Sequence, residues 1–431
     1  MSQSVSQSMM IPSRRAFLKL AGASASLPSW SVFAQSRGKR IDPTWFRERL
    51  LEDTESSLKT LVQPNGYLGR MGPAPARQGA PNDKGGQRKG GAGMGMGSPT
   101  GQGRNMTALS FGYDLTHKQE IKDALGKAAD FLINYMWDKE YGGLYQGVDP
   151  TGKVVNDRKE SYGTAAAILG MARAAEITGK KEHLDAALRI WTDMKKGLRD
   201  KHGLFKRDTS QDFKVTGSGR NTQNPLMHLF EGLLGLYDAT KSKEVMQDAQ
   251  DLADNVIANL MQKNSYIPEL YDADWKPIPA GPPGQREPDG SPIDIYNAYS
   301  EAAQTGHIEV GHQVEWAFFL SRAVERGFPR KYLAPAERLI EFVLKVGLDA
   351  ETGGFYGYSD YDGKRTQASA TTGWQIDEFV KMVAHWAVVR GRQDLWPVYD
   401  KAVAAVKNSK PWPGGYHGDG MHAEVIRLAA M

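Results

Sequence analysis

The 431-residue sequence predicts an all-α fold, a double-layered toroid in which an inner ring of helices is wrapped by an outer ring. Three observations carry this expectation. Helices come in pairs at a fixed period: Asp114-Leu115-Thr116, Glu176-Ile177-Thr178 and Asp238-Ala239-Thr240 end the first helix of successive pairs at intervals of 62 residues. A second marker recurs between pairs, as Gly142-Gly143-Leu144-Tyr145, His202-Gly203-Leu204-Phe205 and Gly353-Gly354-Phe355-Tyr356, and reads as short hairpin loops at one mouth. The first and last copies continue alike, with Asp149, Gly152 and Lys153 matched by Asp360, Gly363 and Lys364 at a constant offset of 211. The two helices of a pair also differ in character. The first is rich in Ala, Gly and aromatics on most faces, as a helix buried all round must be, and the second is amphipathic. An open solenoid would show repeats of more uniform length and polar capping repeats at its ends.

Taken in order, residues 1–34 stand apart from the fold. Ser13-Arg14-Arg15-Ala16-Phe17-Leu18-Lys19 precedes a weakly apolar run from Leu20 to Phe33, with Val32 and Ala34 as small residues at a cleavage site after Ala34. This pattern predicts a twin-arginine export signal, with the twin-arginine export machinery as a partner and the periplasm as destination. The run is too short and too rich in Ala, Ser and Gly for a stable membrane anchor. A single catalytic domain over 35–431 follows. Asp42 to Leu61 forms a first helix, with Trp45, Phe46, Leu50, Leu51, Leu58 and Leu61 at helical intervals. From 63 to 103 the chain turns to Gly, Pro, Met, Lys and Arg with almost nothing to bury, which predicts a flexible loop.

Beyond Arg104 the inner helices are expected at Met106 to Leu115, Tyr162 to Thr178, Pro225 to Thr240, Val310 to Arg326 and Trp374 to Arg390. Their outer partners run Lys118 to Met136, Glu182 to Leu198, Lys243 to Met261, Lys331 to Val346 and Asp394 to Lys407, and a C-terminal segment from Glu424 brings the count to about six pairs. Ile267 to Gly306 breaks the pattern and reads as a Gly/Pro-rich loop over one mouth. Trp412 to Gly420 is expected as a turn-rich loop that holds His417 between Tyr416 and Asp419.

Composition excludes several function classes. Without the leader's Arg14, Arg15 and Lys19 the formal charge falls from +4 to +1, which gives no electrostatic case for nucleic acid. No cysteine is present, so disulfides, thiolate metal sites and a cysteine nucleophile are ruled out, and nine histidines are the scarce reactive resource. Two of them open apolar helices in the same way. Asn224, the expected N-cap, and Pro225 lead into His228 and Glu231, and Gly311-His312 leads into Glu315. In a toroid whose inner helices all start at one face, His228, His312, Arg104 and Trp374 reach the same mouth. His117, His183, His202, His385 and His422 read as structural or surface residues, with His307 ambiguous.

These residues carry a family resemblance. Gln102-Gly103-Arg104 with Ala108-Leu109-Ser110, Lys159 with Tyr162, Arg220 with Asn224-Pro225 and Met227-His228-Leu229 with Glu231, Gly311-His312 with Glu315-Trp316, Trp374 with Glu378, and Tyr416-His417 together resemble the N-acylglucosamine 2-epimerase family, which includes cellobiose 2-epimerases and mannose or sulfoquinovose isomerases. The resemblance implies an (α/α)6 barrel. It implies His312 and His417 as the acid/base pair, His228 as an assistant at the sugar oxygens and Arg104 as a ligand for the substrate oxygen at the reacting end. The loop before Arg104 is longer than usual, and the second substrate-binding arginine is not placed, Arg286 being a guess.

The chemistry is consistent with that assignment. Moving a proton at a carbon next to a carbonyl needs a base, an acid or second base, and donors for the enediolate oxygen, and imidazole takes and gives protons near neutral pH. Glu231 and Glu315, one turn after their histidines, are expected to orient them or to accept sugar hydroxyls. Tyr162, Trp316 and Trp374 are expected to stack on a pyranose, and Asn224 and Glu378 complete the binding set. The expected enzyme is an isomerase or epimerase at C2 of a reducing aldose or short oligosaccharide, monomeric or homodimeric, with no cofactor. Metal independence is expected too, although two His-x-x-Glu pairs reverse the Glu-x-x-His order of di-metal bundles. The alternative is a glycoside hydrolase or polysaccharide lyase working through paired carboxylates, and a silent sugar-binding protein would not require three histidines at one mouth.

Overall fold

The structure, a computed structural model, describes residues 40–69, 97–217, 219–280, 305–366, 370, 373–412 and 414–431. The expected leader and Arg286 lie outside the described residues, as does 70–96 of the expected loop. Twelve helices are described: α1 (Thr44–Thr60), α2 (Pro99–Thr116), α3 (Gln119–Phe131), α4 (Ser161–Thr178), α5 (Lys181–Leu198), α6 (Asn224–Thr240), α7 (Lys243–Asn259), α8 (Val310–Glu325), α9 (Leu333–Val346), α10 (Trp374–Val389), α11 (Trp396–Asn408) and α12 (Gly415–Ala429). The even-numbered helices form a closed inner ring, α2 on α4, α4 on α6, and so on until α12 returns to α2. The odd-numbered helices lie outside it. Among the described residues no helix is long and apolar enough to cross a membrane.

The threonine that marks the repeat has a mechanical reason. Thr116, Thr178 and Thr240 each donate their hydroxyl back to the carbonyl four residues earlier, at 2.8, 2.7 and 2.7 Å. The same hydroxyls accept the N–H of Lys118, Lys180 and Ser242, so one side chain closes both sides of the turn. Between helix and threonine-capped turn, His117, Gly179 and Lys241 take left-handed backbone and end the helix. The second marker also closes on itself, through single bridges Trp137 to Leu144, Arg199 to Phe205 and Leu348 to Phe355.

Strands are short. Of four two-stranded antiparallel ribbons, β1 (Gly147–Val148) with β2 (Val154–Asn156) is a hairpin. The other three join neighbouring repeats: β3 (Lys159–Glu160) with β4 (Asp208–Thr209), β5 (Asn221–Thr222) with β6 (Leu270–Tyr271), and β7 (Ile308–Glu309) with β8 (Tyr358–Ser359). Because β3, β5 and β7 each run straight into an inner helix, the ribbons rim the mouth where those helices begin.

Three boundaries differ from expectation. α2 starts at Pro99, with the Ser98 hydroxyl accepting Gly101 N–H, so 99–103 of the expected loop is helical. Gly103 is required there, since a Cβ would meet the Ala166 carbonyl oxygen of α4 at 2.3 Å. α12 starts at Gly415 rather than near Glu424, which puts His417 in a first helical turn; its glycines hide the helix from propensity. Asn224 is not an N-cap but the first residue of α6, and its N–H is taken by the Thr222 hydroxyl.

Candidate active site

Every inner helix begins at the ribbon-rimmed mouth, and the sequence places reactive side chains in the first two turns: Arg104 on α2, Tyr162 on α4, Asn224, His228 and Glu231 on α6, His312 and Glu315 on α8, Trp374 and Glu378 on α10, Tyr416 and His417 on α12. The ring closure brings them together. Trp374 stands between two imidazoles, its ring centroid 5.4 Å from that of His312 and 4.9 Å from that of His417. Arg104 lies between the Tyr162 and Tyr416 rings, 5.1 and 4.6 Å from their centroids, and its Nη2 reaches His228 Nε2 at 3.3 Å.

Each histidine rests on its own carboxylate. His228 Nδ1 donates to Glu231 at 3.2 Å, and the Tyr416 hydroxyl donates to the same carboxylate oxygen. His417 Nδ1 donates to Glu378 at 2.9 Å. His312 Nδ1 donates at 2.7 Å to Glu269, not to Glu315. The expected orienting role of Glu315 is therefore corrected. One helical turn put it on the same helix face, but the ring points at the ribbon instead, where Glu269 is held by the Thr222 hydroxyl and Gln223 amide at 2.6 and 2.8 Å. Both Glu315 oxygens are buried and without a hydrogen-bond partner among the described residues, and burial with nearby Glu378 drives this carboxyl well above the usual range. Trp316 is corrected too: it is fully buried, donates to Gln223 at 2.8 Å and stacks on Phe230, so it is a core residue and not a sugar platform. Asn224 keeps its place at the mouth, its side-chain oxygen unpaired among the described residues.

The environments split the imidazoles. Burial alone would lower His312, but Glu269, with Glu309 and Glu315 behind it, outweighs burial and lifts the ring to about 9. Burial, aided by Arg104 and Lys381 against the pull of Glu378, lowers His417 to about 4. Burial and the neighbouring Arg104, His417 and His312 hold His228 well below the ordinary imidazole value. At neutral pH the mouth therefore presents an imidazolium at His312 and neutral imidazoles at His417 and His228.

Ligand atoms of Glu315, Glu378 and His417 lie within 4.8 Å of one another, close enough for a metal. The set does not fit one: Lys381 Nζ already pairs with Glu378 Oε2, and a divalent ion would sit against that fixed ammonium. A cavity of about 540 Å³ opens at the other mouth, lined by Asp114, Arg173, Asp238, Arg326 and Arg427, and reaches up to Glu231 and Lys381. Its ion pairs, Arg173 to Asp114 and Arg326 to Asp238 at 2.6 Å, link adjacent inner helices and staple the far end of the ring.

The missed residues are Glu269, Gln223 and Lys381. Glu269 lies 43 residues before His312 outside any helical period, so no local pattern points to it. Lys381 did leave a signal: a lone lysine in a helix expected to be buried all round. Of the other histidines, His183 and His385 are buried and bonded to Asp130 and Glu424, and His117 ends α2, as a structural reading expects.

Comparison with known proteins agrees with this geometry. The family model for N-acylglucosamine 2-epimerase (GlcNAc 2-epimerase) matches residues 89–418. The chain belongs to this family. It is 25% identical over 184 residues to cellobiose 2-epimerase of Bacteroides fragilis, covering 40% of this chain and 47% of that protein. It is 27% identical over 253 residues to D-mannose isomerase of Marinomonas mediterranea, covering 56% of this chain and 58% of that one. The chain thus spans about half the length of the curated relatives it matches. The solved cellobiose 2-epimerase of Spirochaeta thermophila superposes with a TM-score of 0.71 at 17% identity, over 90% of this chain and 96% of that one, and supports the (α/α)6 barrel.

Proposed function

We propose that this chain interconverts reducing sugars at C2, as an epimerase or an aldose–ketose isomerase, by histidine proton transfer through an enediolate. The observation that carries the reading is the opposed pair at one mouth: a neutral His417 and a protonated His312, each fixed by a carboxylate, flanking the Trp374 ring. Environments that push two titratable groups apart mark the acid and the base. His417, with Nδ1 committed to Glu378, offers Nε2 to take the C2 proton of an open-chain sugar. His312, with Nδ1 committed to Glu269, offers its Nε2 proton to C2 from the opposite face. Arg104, held in place by the His228 Nε2 lone pair, stabilises the oxyanion that develops. Delivery of the His312 proton to C2 from the other face gives the epimer, and delivery of the His417 proton to C1 gives the ketose. Trp374 and Tyr162 pack the sugar, and Asn224 and Glu315 bond its hydroxyls. No metal enters these steps. Names of the family relatives favour cellobiose-like disaccharides and mannose as first substrates to try.

The residues before Ala34 support export by the twin-arginine route, and a mature protein lacking 34 residues in the periplasmic fraction is the expected outcome. The activity itself is tested by incubating the enzyme with a panel of aldoses in heavy water and reading product identity and deuterium at C1 and C2. Deuterium at C2 with an epimer, or at C1 with a ketose, supports the reading. Cleavage of a glycan polymer without any exchange replaces it with the hydrolase or lyase alternative.

A further inference from the structure

One buried charge has no role in the steps above. Lys381 of α10 is 6% exposed, with its ammonium 4.8 and 5.6 Å from the centroids of the Phe318 and Phe319 rings. One turn earlier on the same helix, Glu378 pairs through Oε2 with Lys381 and accepts the His417 imidazole through Oε1. The carboxylate is thus a bridge between an ammonium and the catalytic ring. A buried ammonium is costly unless it is paired, so a lysine at this depth calls for an explanation.

We propose that Lys381 is a positioning residue for His417: its ammonium keeps Glu378 ionised, so that Glu378 accepts the His417 Nδ1–H and leaves Nε2 free as the base. The inference rests on the reading of His417 as that base. Four carboxyls share the same dry floor. Burial pushes Asp377 of α10 and Glu315 of α8 well above the usual range and raises Glu231 of α6. Burial acts on Glu378 as well, yet Lys381 and His417 together outweigh it and hold this carboxyl at about 2. The one carboxyl that touches both is the one that stays charged. The remaining charged or titratable groups around the pair are Arg104, His228, His312 and Tyr416. None of them bonds Glu378 among the described residues, so none replaces the ammonium.

Loss of the cation changes chemistry and not only stability. A protonated Glu378 donates where it accepted, Nδ1 becomes the acceptor, and the His417 proton moves to Nε2, where a base must have a lone pair. The test is kcat and KM against pH for the full chain, with melting temperatures, in wild type, Lys381→Met, Lys381→Arg and Lys381→Met/Glu378→Gln. Lys381→Met is expected to lose about tenfold or more of kcat at pH 7 with KM little changed, and to recover as pH rises, because Glu378 then titrates in the assay range. Lys381→Arg keeps the charge and the wild-type profile. The double variant carries no unpaired charge and folds if the single variant does not. It is expected to retain kcat within about tenfold of wild type with no alkaline recovery, since the amide oxygen that Glu378→Gln introduces still accepts Nδ1–H and does not titrate. A Lys381→Met profile parallel to wild type, or a folded double variant inactive at every pH, overturns the proposal. Either result leaves the C2 chemistry intact so long as the wild-type protein exchanges deuterium, and a wild type that exchanges none sinks the functional reading instead.

Discussion

Replacing Glu269 by Gln removes the one carboxylate bonded to His312 among the described residues and keeps the side chain's shape. Glu269 is the main reason the His312 ring rises to about 9 against its burial, so without it the ring falls back to its ordinary value near 6.5 or lower. At pH 8 a ring titrating at about 9 is about 90% protonated, and one titrating near 6.5 only about 3%. Glu269→Gln is therefore expected to lose about 30-fold of kcat/KM at pH 8 and almost none at pH 6. The alkaline limb of the profile moves down by more than two pH units, which corresponds to about 3 kcal/mol in the protonation equilibrium of a group screened from solvent. Stability follows the same sign. A raised imidazole stabilises the fold below its ordinary pKa and loses that contribution as pH climbs through about 9. The melting-temperature deficit of the variant should accordingly shrink above pH 9. Initial rates of C2 exchange from pH 5 to 9.5 provide the assay. An alkaline limb at the same pH in both proteins would refute the assignment of His312 as the protonated acid.

Arg104→Lys should lose about 10- to 100-fold in kcat/KM, with KM raised as well as kcat lowered, because a point charge cannot both bond His228 and lie flat between two tyrosines; steady-state kinetics on the best aldose checks this. Gly103→Ala should cost about 1–3 kcal/mol or more by forcing α2 off α4, read as a lower denaturation midpoint. Asp53 is raised to about 6 by burial and bonds Asp419, so the fold is favoured while it is protonated and loses that contribution as pH rises through about 6. Asp53→Asn should raise the melting temperature by about 1–2 °C at pH 8 and not at pH 4, a small effect because this group is partly solvated.

The toroid was legible because its two periods have local causes: a threonine that back-bonds and caps, and a loop that bridges onto itself. Arg104, His228, His312, Trp374 and His417 were legible for a related reason, since the first turns of inner helices converge wherever the ring closes. What local pattern could not supply was pairing across repeats. Glu315 sits at the helical spacing an orienting carboxylate would have, yet the ring it was expected to hold turns toward Glu269 on a ribbon from the preceding repeat. Trp316 looked like a platform from its neighbourhood, but its register on α8 points it at Phe230 and Gln223 in the wall. Gly415 to Gly420 read as a loop from composition, and packing against the rest of the ring made it helix.

The central claim is that His312 and His417 move the C2 proton between them, and it is tested most directly by C2 deuterium exchange in His312→Asn, His417→Asn and the double variant. Each single variant should lose about 10² to 10⁴-fold of exchange at an unchanged melting temperature. The double variant should lose little more than the worse single one, since one broken relay is already broken. Full exchange in either single variant would contradict the account.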